Sequence, residues 1–88
     1  MTDTMDSYLI LCRSLTHAQR TAGVLEQNGI KGHISRLPRT IAGEGCGYCV
    51  KIADRNLDVT VNVLRREGLG PKRVFAENGN GSFVEVVL

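Results

Sequence analysis

The stretch from Thr16 to Ile30, THAQRTAGVLEQNGI, decides the fold class because its pattern recurs later in the chain. Thr16 and Gln19 have the spacing of a capping box, which predicts a helix that starts at Thr16. Small and apolar residues then follow at helical spacing, and a glycine with an apolar neighbour is typical of a helix C-terminus. These positions are Ala18, Ala22, Leu25, Gly29 and Ile30.

The second copy of this pattern keeps the same offset at every position. It is formed by Leu57, Val61, Leu64, Gly68 and Leu69. Asp54 or Asn56 can cap this second helix. Short apolar or alternating runs flank both helices and predict four strands, over residues 8–12, 32–37, 48–52 and 72–76.

Two copies of a strand-helix-strand unit give the order βαββαβ. We therefore predict an α+β protein with a ferredoxin-like fold, a four-stranded antiparallel sheet with two helices on one face. The alternative is that two unrelated amphipathic helices with glycine ends look alike. Residues 83–88 can form an additional C-terminal strand, either on their own sheet or on that of another subunit.

Length and composition restrict the function classes. The 88 residues fit one domain, with a core over 7–76, a turn or linker over 77–82 and the additional strand over 83–88. A net charge of +2 and few aromatic residues argue against nucleic acid as a partner. No apolar run approaches the roughly 20 residues that cross a bilayer, and 1–7 are too polar for a signal peptide. We expect a cytoplasmic protein without membrane contact.

The loop around Cys46 carries the strongest chemical pattern. Cys46 lies between Gly45 and Gly47, which lets the backbone turn sharply and leaves the sulfur uncovered. Arg39 lies upstream, and nearby positive charge favours the reactive thiolate. Cys49 follows three residues after Cys46 and is a candidate resolving thiol.

The predicted topology places this loop beside the start of the first helix. A right-handed crossover makes the first two strands parallel, so both end at the same edge of the sheet. A helix N-terminus and arginine side chains favour an anion there. The site can hold a thiolate, a persulfide or a small oxyanion, and its expected binding residues are Arg13, Ser14, Thr16, Pro38, Arg39, Gly45 and Gly47.

Less reactive roles remain open for the cysteines. Cys12 ends an apolar strand and Cys49 lies within one, where buried structural thiols are common. An odd count of three cysteines does not suit a disulfide framework. A structural zinc site would need four ligands, so we expect no metal and no cofactor.

Several segments resemble the small family of selenium/sulfur carrier proteins over 7–76. They are Tyr8-Leu9-Ile10-Leu11, Leu25-x-x-x-Gly29-Ile30, Leu37-Pro38-Arg39-x-Ile41 and Gly45-Cys46-Gly47. The resemblance implies transient carriage of sulfur or selenium on Cys46, between donor and acceptor proteins. The chain departs from the family pattern in Glu44, in the second thiol Cys49 and in the tail after Ala76.

Three functions follow as hypotheses. The first is a carrier that holds a persulfide or selenopersulfide on Cys46. The second is a thiol-disulfide switch between Cys46 and Cys49, and the third is a ligand-sensing or protein-interaction module without chemistry. Because the first strand is apolar on both faces and two helices cover only one, we also expect a homodimer. Its interface would be the open sheet face or the C-terminal segment. The alternative is a monomer whose own C-terminal segment folds across its sheet.

Overall fold

The computed structural model describes residues 7–37, 47–70, 73–77 and 83–86. Within these ranges the chain forms five strands, two helices and a short 3-10 turn. The elements are β1 (Ser7–Cys12), α1 (Leu15–Gln27), β2 (His33–Arg36), β3 (Tyr48–Ala53), the 3-10 turn (Asp54–Asn56), α2 (Leu57–Arg66), β4 (Val74–Glu77) and β5 (Phe83–Val86). The predicted α+β class is confirmed.

The described strands form one sheet in the order β2-β3-β1-β4-β5, and every neighbouring pair is antiparallel. The sheet therefore has five strands rather than four, and the fifth is the additional C-terminal strand that the sequence offered as a possibility. The C-terminal segment folds back along β4, in a register that pairs Val74 with Val86 and Glu77 with Phe83. The fifth strand thus covers an edge of β4 that a four-stranded sheet would leave unpaired.

Side-chain alternation along the strands divides the core between the two sheet faces. Ile10 and Cys12 of β1 lie in the main core cluster, which both helices join through Leu25 and Leu64. Both helices therefore cover the same face. Leu9 lies on the opposite face in a smaller buried cluster with Cys49 and Phe75, against which Leu11, Leu37 and Phe83 pack.

The start of α1 differs from the prediction. Ser14, not Thr16, is the N-cap residue, because its backbone is still extended (φ −155°) and its Oγ accepts a hydrogen bond of 3.1 Å from the amide of His17. Thr16 lies inside the first turn instead. At the start of α2, Asn56 occupies the N-cap position, but its side chain makes no capping hydrogen bond.

The two helix ends have the same geometry, as their matching sequences predict. Gly29 and Gly68 have φ values of 77° and 76°, which glycine adopts without strain. The next residue in each case donates to the carbonyl five residues back, Ile30 to Leu25 at 2.9 Å and Leu69 to Leu64 at 2.8 Å. The amide of each glycine also donates a hydrogen bond to a carbonyl oxygen in the last turn of its helix, which completes a Schellman motif.

The internal match extends to two polar residues that the sequence pattern did not single out. Thr21 and Thr60 occupy equivalent positions in the two helices. They are also the buried polar residues of the described chain, at 1% and 0% exposure. The correspondence between the two halves therefore includes the helix surface that packs on the sheet.

Candidate functional site

The ends of β1 and β2 meet at one edge of the sheet, at the start of β3. Cys12 and Arg36 are the last residues of these strands, and both pair with Tyr48 of β3. Because β1 and β2 are each antiparallel to β3, they are parallel to one another. The structure confirms that the connection between β2 and β3 leaves and rejoins the sheet beside the start of α1.

Leu37 and Gly47 hold the two ends of this connection together. The Leu37 amide donates a hydrogen bond of 3.0 Å to the Gly47 carbonyl. A Cβ atom on residue 47 would lie 2.6 Å from Leu37 Cδ1 and 3.9 Å from the Cys12 carbonyl oxygen. The predicted site residue Gly47 thus leaves room for the Leu37 side chain, the end of which would have to shift if residue 47 carried a Cβ atom.

Four predicted site residues, Pro38, Arg39, Gly45 and Cys46, lie outside the described residues, and their roles stay predictions. The three at the start of α1 are described. Arg13 is exposed at the shared edge, Ser14 caps the helix and Thr16 is exposed in the first turn.

The start of α1 is a favourable place for negative charge. Its first turn contains no acidic side chain. The first amides of a helix lack intrahelical acceptors and carry the positive end of the helix dipole. Arg13 adds a formal positive charge beside them.

A cavity of about 350 Å³ lies at the same edge, between the end of β1, the start of α1 and the chain that follows α2. The described residues that line it are Ile10, Leu11, Cys12, Arg13, His17, Gly68, Leu69, Gly70 and Arg73. The predicted topology did not specify the cavity or the half-buried position of His17, because both depend on side-chain packing between distant segments.

The Cys12 thiol belongs to the helix-covered core. It is 4% exposed, and its Sγ lies 3.7 Å from the Ile10 carbonyl oxygen and 4.0 Å from Thr21 Oγ1. Burial raises the pKa of the Cys12 thiol, and the contact with Thr21 only partly opposes that change. A protonated thiol is a weak nucleophile.

The Cys49 thiol lies on the opposite face of the sheet. It is 1% exposed, and its Sγ shares a hydrogen bond of 3.4 Å with Ser35 Oγ. Burial raises the pKa of Cys49, while the Ser35 hydrogen bond lowers it to a smaller extent. A buried structural role was one of the two alternatives that the sequence left open for Cys49, but the sequence did not identify Ser35 as its partner. A resolving role for Cys49 stays a prediction and would need this thiol to become accessible.

Metal binding and membrane crossing find no support among the described residues. Their His, Cys, Asp and Glu side chains form no group of three or more that could hold a metal ion. Neither described helix has the length and apolar character needed to cross a membrane.

A comparison with protein-family models supplies the family. The model described as "Putative Se/S carrier protein-like" matches residues 7–76. The chain belongs to this family. The match begins with β1, includes both helices and the connection that contains Cys46, and ends within β4, so β5 lies beyond it. No curated protein and no solved structure gave a significant match to this Se/S carrier-like chain.

Proposed function

We propose that this Se/S carrier-like protein holds sulfur or selenium on Cys46, as a persulfide or selenopersulfide, and passes it from a donor protein to an acceptor protein. Family membership supports this activity. The hydrogen bond between Leu37 and Gly47 supports the assignment of this activity to Cys46. It fixes both ends of the connection that contains Cys46 beside Arg13 and the start of α1.

The other two thiols strengthen this choice by elimination. Cys12 and Cys49 are both buried, and burial raises the pKa of each. Because the thiolate is the nucleophile, neither is suited to react with a partner's persulfide from its described position. Cys46 is then the thiol left for carriage, with Arg39 and Arg13 as the charges that would stabilise its anion.

The transfer conserves electrons. The Cys46 thiolate attacks the terminal sulfur of the donor persulfide, a new S–S bond forms on Cys46, and the donor's own S–S bond breaks. The donor leaves as a thiolate, so no external oxidant or reductant is needed. Delivery to an acceptor is the same exchange with the acceptor as nucleophile, and selenium can replace the transferred sulfur. A reducing cytoplasm suits such a thiol.

We also infer that β1–β4 with the two helices form a ferredoxin-like βαββαβ unit, to which β5 adds a strand at the β4 edge. The order β2-β3-β1-β4 and the shared face of the helices support this assignment. The unit supplies a rigid sheet edge from which a reactive loop can project toward partner proteins.

Intact mass spectrometry tests the carrier function. The full chain is reduced, incubated without oxygen with inorganic polysulfide as sulfane-sulfur donor, and desalted. We expect a mass increase of one sulfur atom, which Cys46→Ser abolishes. Cys12→Ser and Cys49→Ser are the matched controls and should keep the added sulfur.

Other outcomes of this experiment contradict the carrier. A loss of two hydrogens without added sulfur would indicate a Cys46–Cys49 disulfide and therefore the switch. An unchanged mass would favour an interaction module without sulfur chemistry. Added sulfur that persists in Cys46→Ser would assign carriage to another thiol.

A further inference from the structure

We propose that the cavity between β1, α1 and the chain after α2 binds a small organic anion, a carboxylate or a phosphate ester with an apolar body. This proposal is independent of Cys46, because it rests on described residues alone. The volume of about 350 Å³ lies within the range of roughly 300–1,000 Å³ that small-molecule pockets occupy.

The aliphatic residues that line the cavity are the reason why we expect the ligand to have an apolar body. Ile10 and Leu69 supply aliphatic surface, and glycines at 68 and 70 bring the backbone close without side chains in the way. An inorganic anion alone would leave this aliphatic surface in contact with water. An apolar body would cover it, with a gain of roughly 25 cal/mol for each Å² removed from water.

The charges around the cavity are the reason why we expect the ligand to carry an anionic group. None of the described residues that line it is acidic. Arg73 is already engaged, since its guanidinium donates to Glu85 at 2.9 and 3.0 Å. Arg13 is exposed, and no hydrogen bond or ion pair within the described chain holds its side chain. It is therefore the cation available to a ligand.

A buried nitrogen atom of a residue that lines the cavity is a further observation in support of a bound ligand. The Nδ1 atom of His17 is buried and has no hydrogen-bond partner within the described chain. Buried polar atoms in folded proteins are nearly always satisfied, by protein, by ordered water or by a ligand. His17 lines the cavity, so a turn of its imidazole ring would bring this atom to the cavity, where a bound molecule or the water that accompanies it can satisfy it.

Proton–nitrogen correlation NMR on the full chain tests the proposal with phenyl phosphate and benzoate as probes. We expect saturable shifts of the amides of residues 10–17 and 68–70, with roughly millimolar affinity. Inorganic phosphate, which lacks the apolar body, and benzyl alcohol, which lacks the charge, should each bind more weakly. The two anionic probes also distinguish a phosphate ester from a carboxylate as the better ligand.

Substitutions test whether the probe binds in the cavity. Arg13→Gln should weaken phenyl phosphate binding about tenfold, as expected for one lost charged hydrogen bond. Arg20→Gln makes the same charge change at an exposed position of α1 that does not line the cavity, and should bind as the natural chain does.

Several outcomes would overturn the proposal. Absence of saturable shifts at about 10 mM of either anionic probe would exclude an affinity of the expected order. Shifts that map to other residues would exclude the cavity as the site. Equal binding by Arg13→Gln and the natural chain would exclude the anion contact, and equal binding of inorganic and phenyl phosphate would exclude the apolar body.

Discussion

At the scale of single residues, the position of each cysteine decides its chemistry. Cys12 and Cys49 lie on neighbouring strands but point to opposite faces of the sheet, and both are buried. The strand pattern left open both a buried structural role and a resolving role for Cys49, which alternation places on the same face of β3 as Lys51. The contact of Cys49 with Ser35 could not be predicted, because it depends on the register of β2 against β3, which a single sequence does not specify.

The buried thiols make stability fall at alkaline pH. Burial raises the pKa of Cys49, so the unfolded chain releases its thiol proton at a lower pH than the folded chain does. The contribution of the protonated Cys49 thiol to the free energy of unfolding is complete below the ordinary thiol pKa of about 8.5. It is lost as the pH rises through the raised pKa of the folded state, at up to about 1.4 kcal/mol per pH unit. Urea unfolding of Cys49→Ala under reducing conditions should therefore give a shallower decline above this pH.

Val50→Ala is the control for this measurement. It truncates a neighbouring, fully buried side chain of β3 that cannot ionise. This variant should be less stable at every pH and keep the slope of the natural chain. Parallel pH profiles for Cys49→Ala and the natural chain would show that the Cys49 thiol has the same pKa in both states.

At the scale of elements, local sequence was sufficient for the helices and most of the strands. The spacing of Ala18, Leu25 and Leu64 predicted the buried helix faces, and Gly29 and Gly68 predicted the helix ends. The N-cap was missed because Ser14 and Thr16 both suit the role, and only the extended backbone at Ser14 distinguishes them. The pairing of β5 and the cavity could not be predicted, since both depend on contacts between segments far apart in sequence.

The glycines that end α1 and α2 give a prediction with an internal control. Gly29→Ala and Gly68→Ala should each destabilise the fold by about 1 kcal/mol, because a Cβ is strained at positive φ. A Cβ added at either glycine would meet no atom of the surrounding structure within 4 Å, so this cost is backbone strain and not a clash. Chemical denaturation monitored by circular dichroism measures it.

We expect Gly23→Ala to change the stability of the fold in the opposite direction. Gly23 lies inside α1, has no positive φ and also has open space around a Cβ. Alanine there should stabilise the protein by roughly 0.5–1 kcal/mol, since glycine is unfavourable in a helix interior. Equal effects at positions 23, 29 and 68 would contradict the assignment of Schellman ends.

At the scale of the whole molecule, the open sheet face is better covered than the sequence suggested. Leu9, Cys49 and Phe75 are almost fully buried there. A salt bridge of 3.0 Å between Lys51 and Glu77 lies on the same face, as does the pair of Arg73 with Glu85. Val84 of β5 is an exposed apolar residue, at 56%, on the helix-covered face of the edge strand, and we propose this C-terminal strand as the interface of the expected homodimer.

Light scattering tests this assembly. We expect the full chain to be a dimer at high micromolar concentration, and Val84→Lys to make it monomeric without unfolding it. Ile34→Lys changes an exposed apolar residue on the opposite edge strand, β2, and should leave the dimer intact. A natural chain that stays monomeric would contradict the dimer, and a dimer that survives Val84→Lys would place the interface elsewhere.

The hydrogen bond between Leu37 and Gly47 also has a consequence for evolution and engineering. Because the sheet fixes both ends of residues 38–46, this segment can change in length or composition with little effect on the scaffold. Doubling the length of a flexible loop costs only about 0.6 kcal/mol in closure entropy. We therefore expect that this segment can be exchanged between related chains while the sheet stays the same, and that under the proposed function its exchange would change the preference for donor or acceptor proteins.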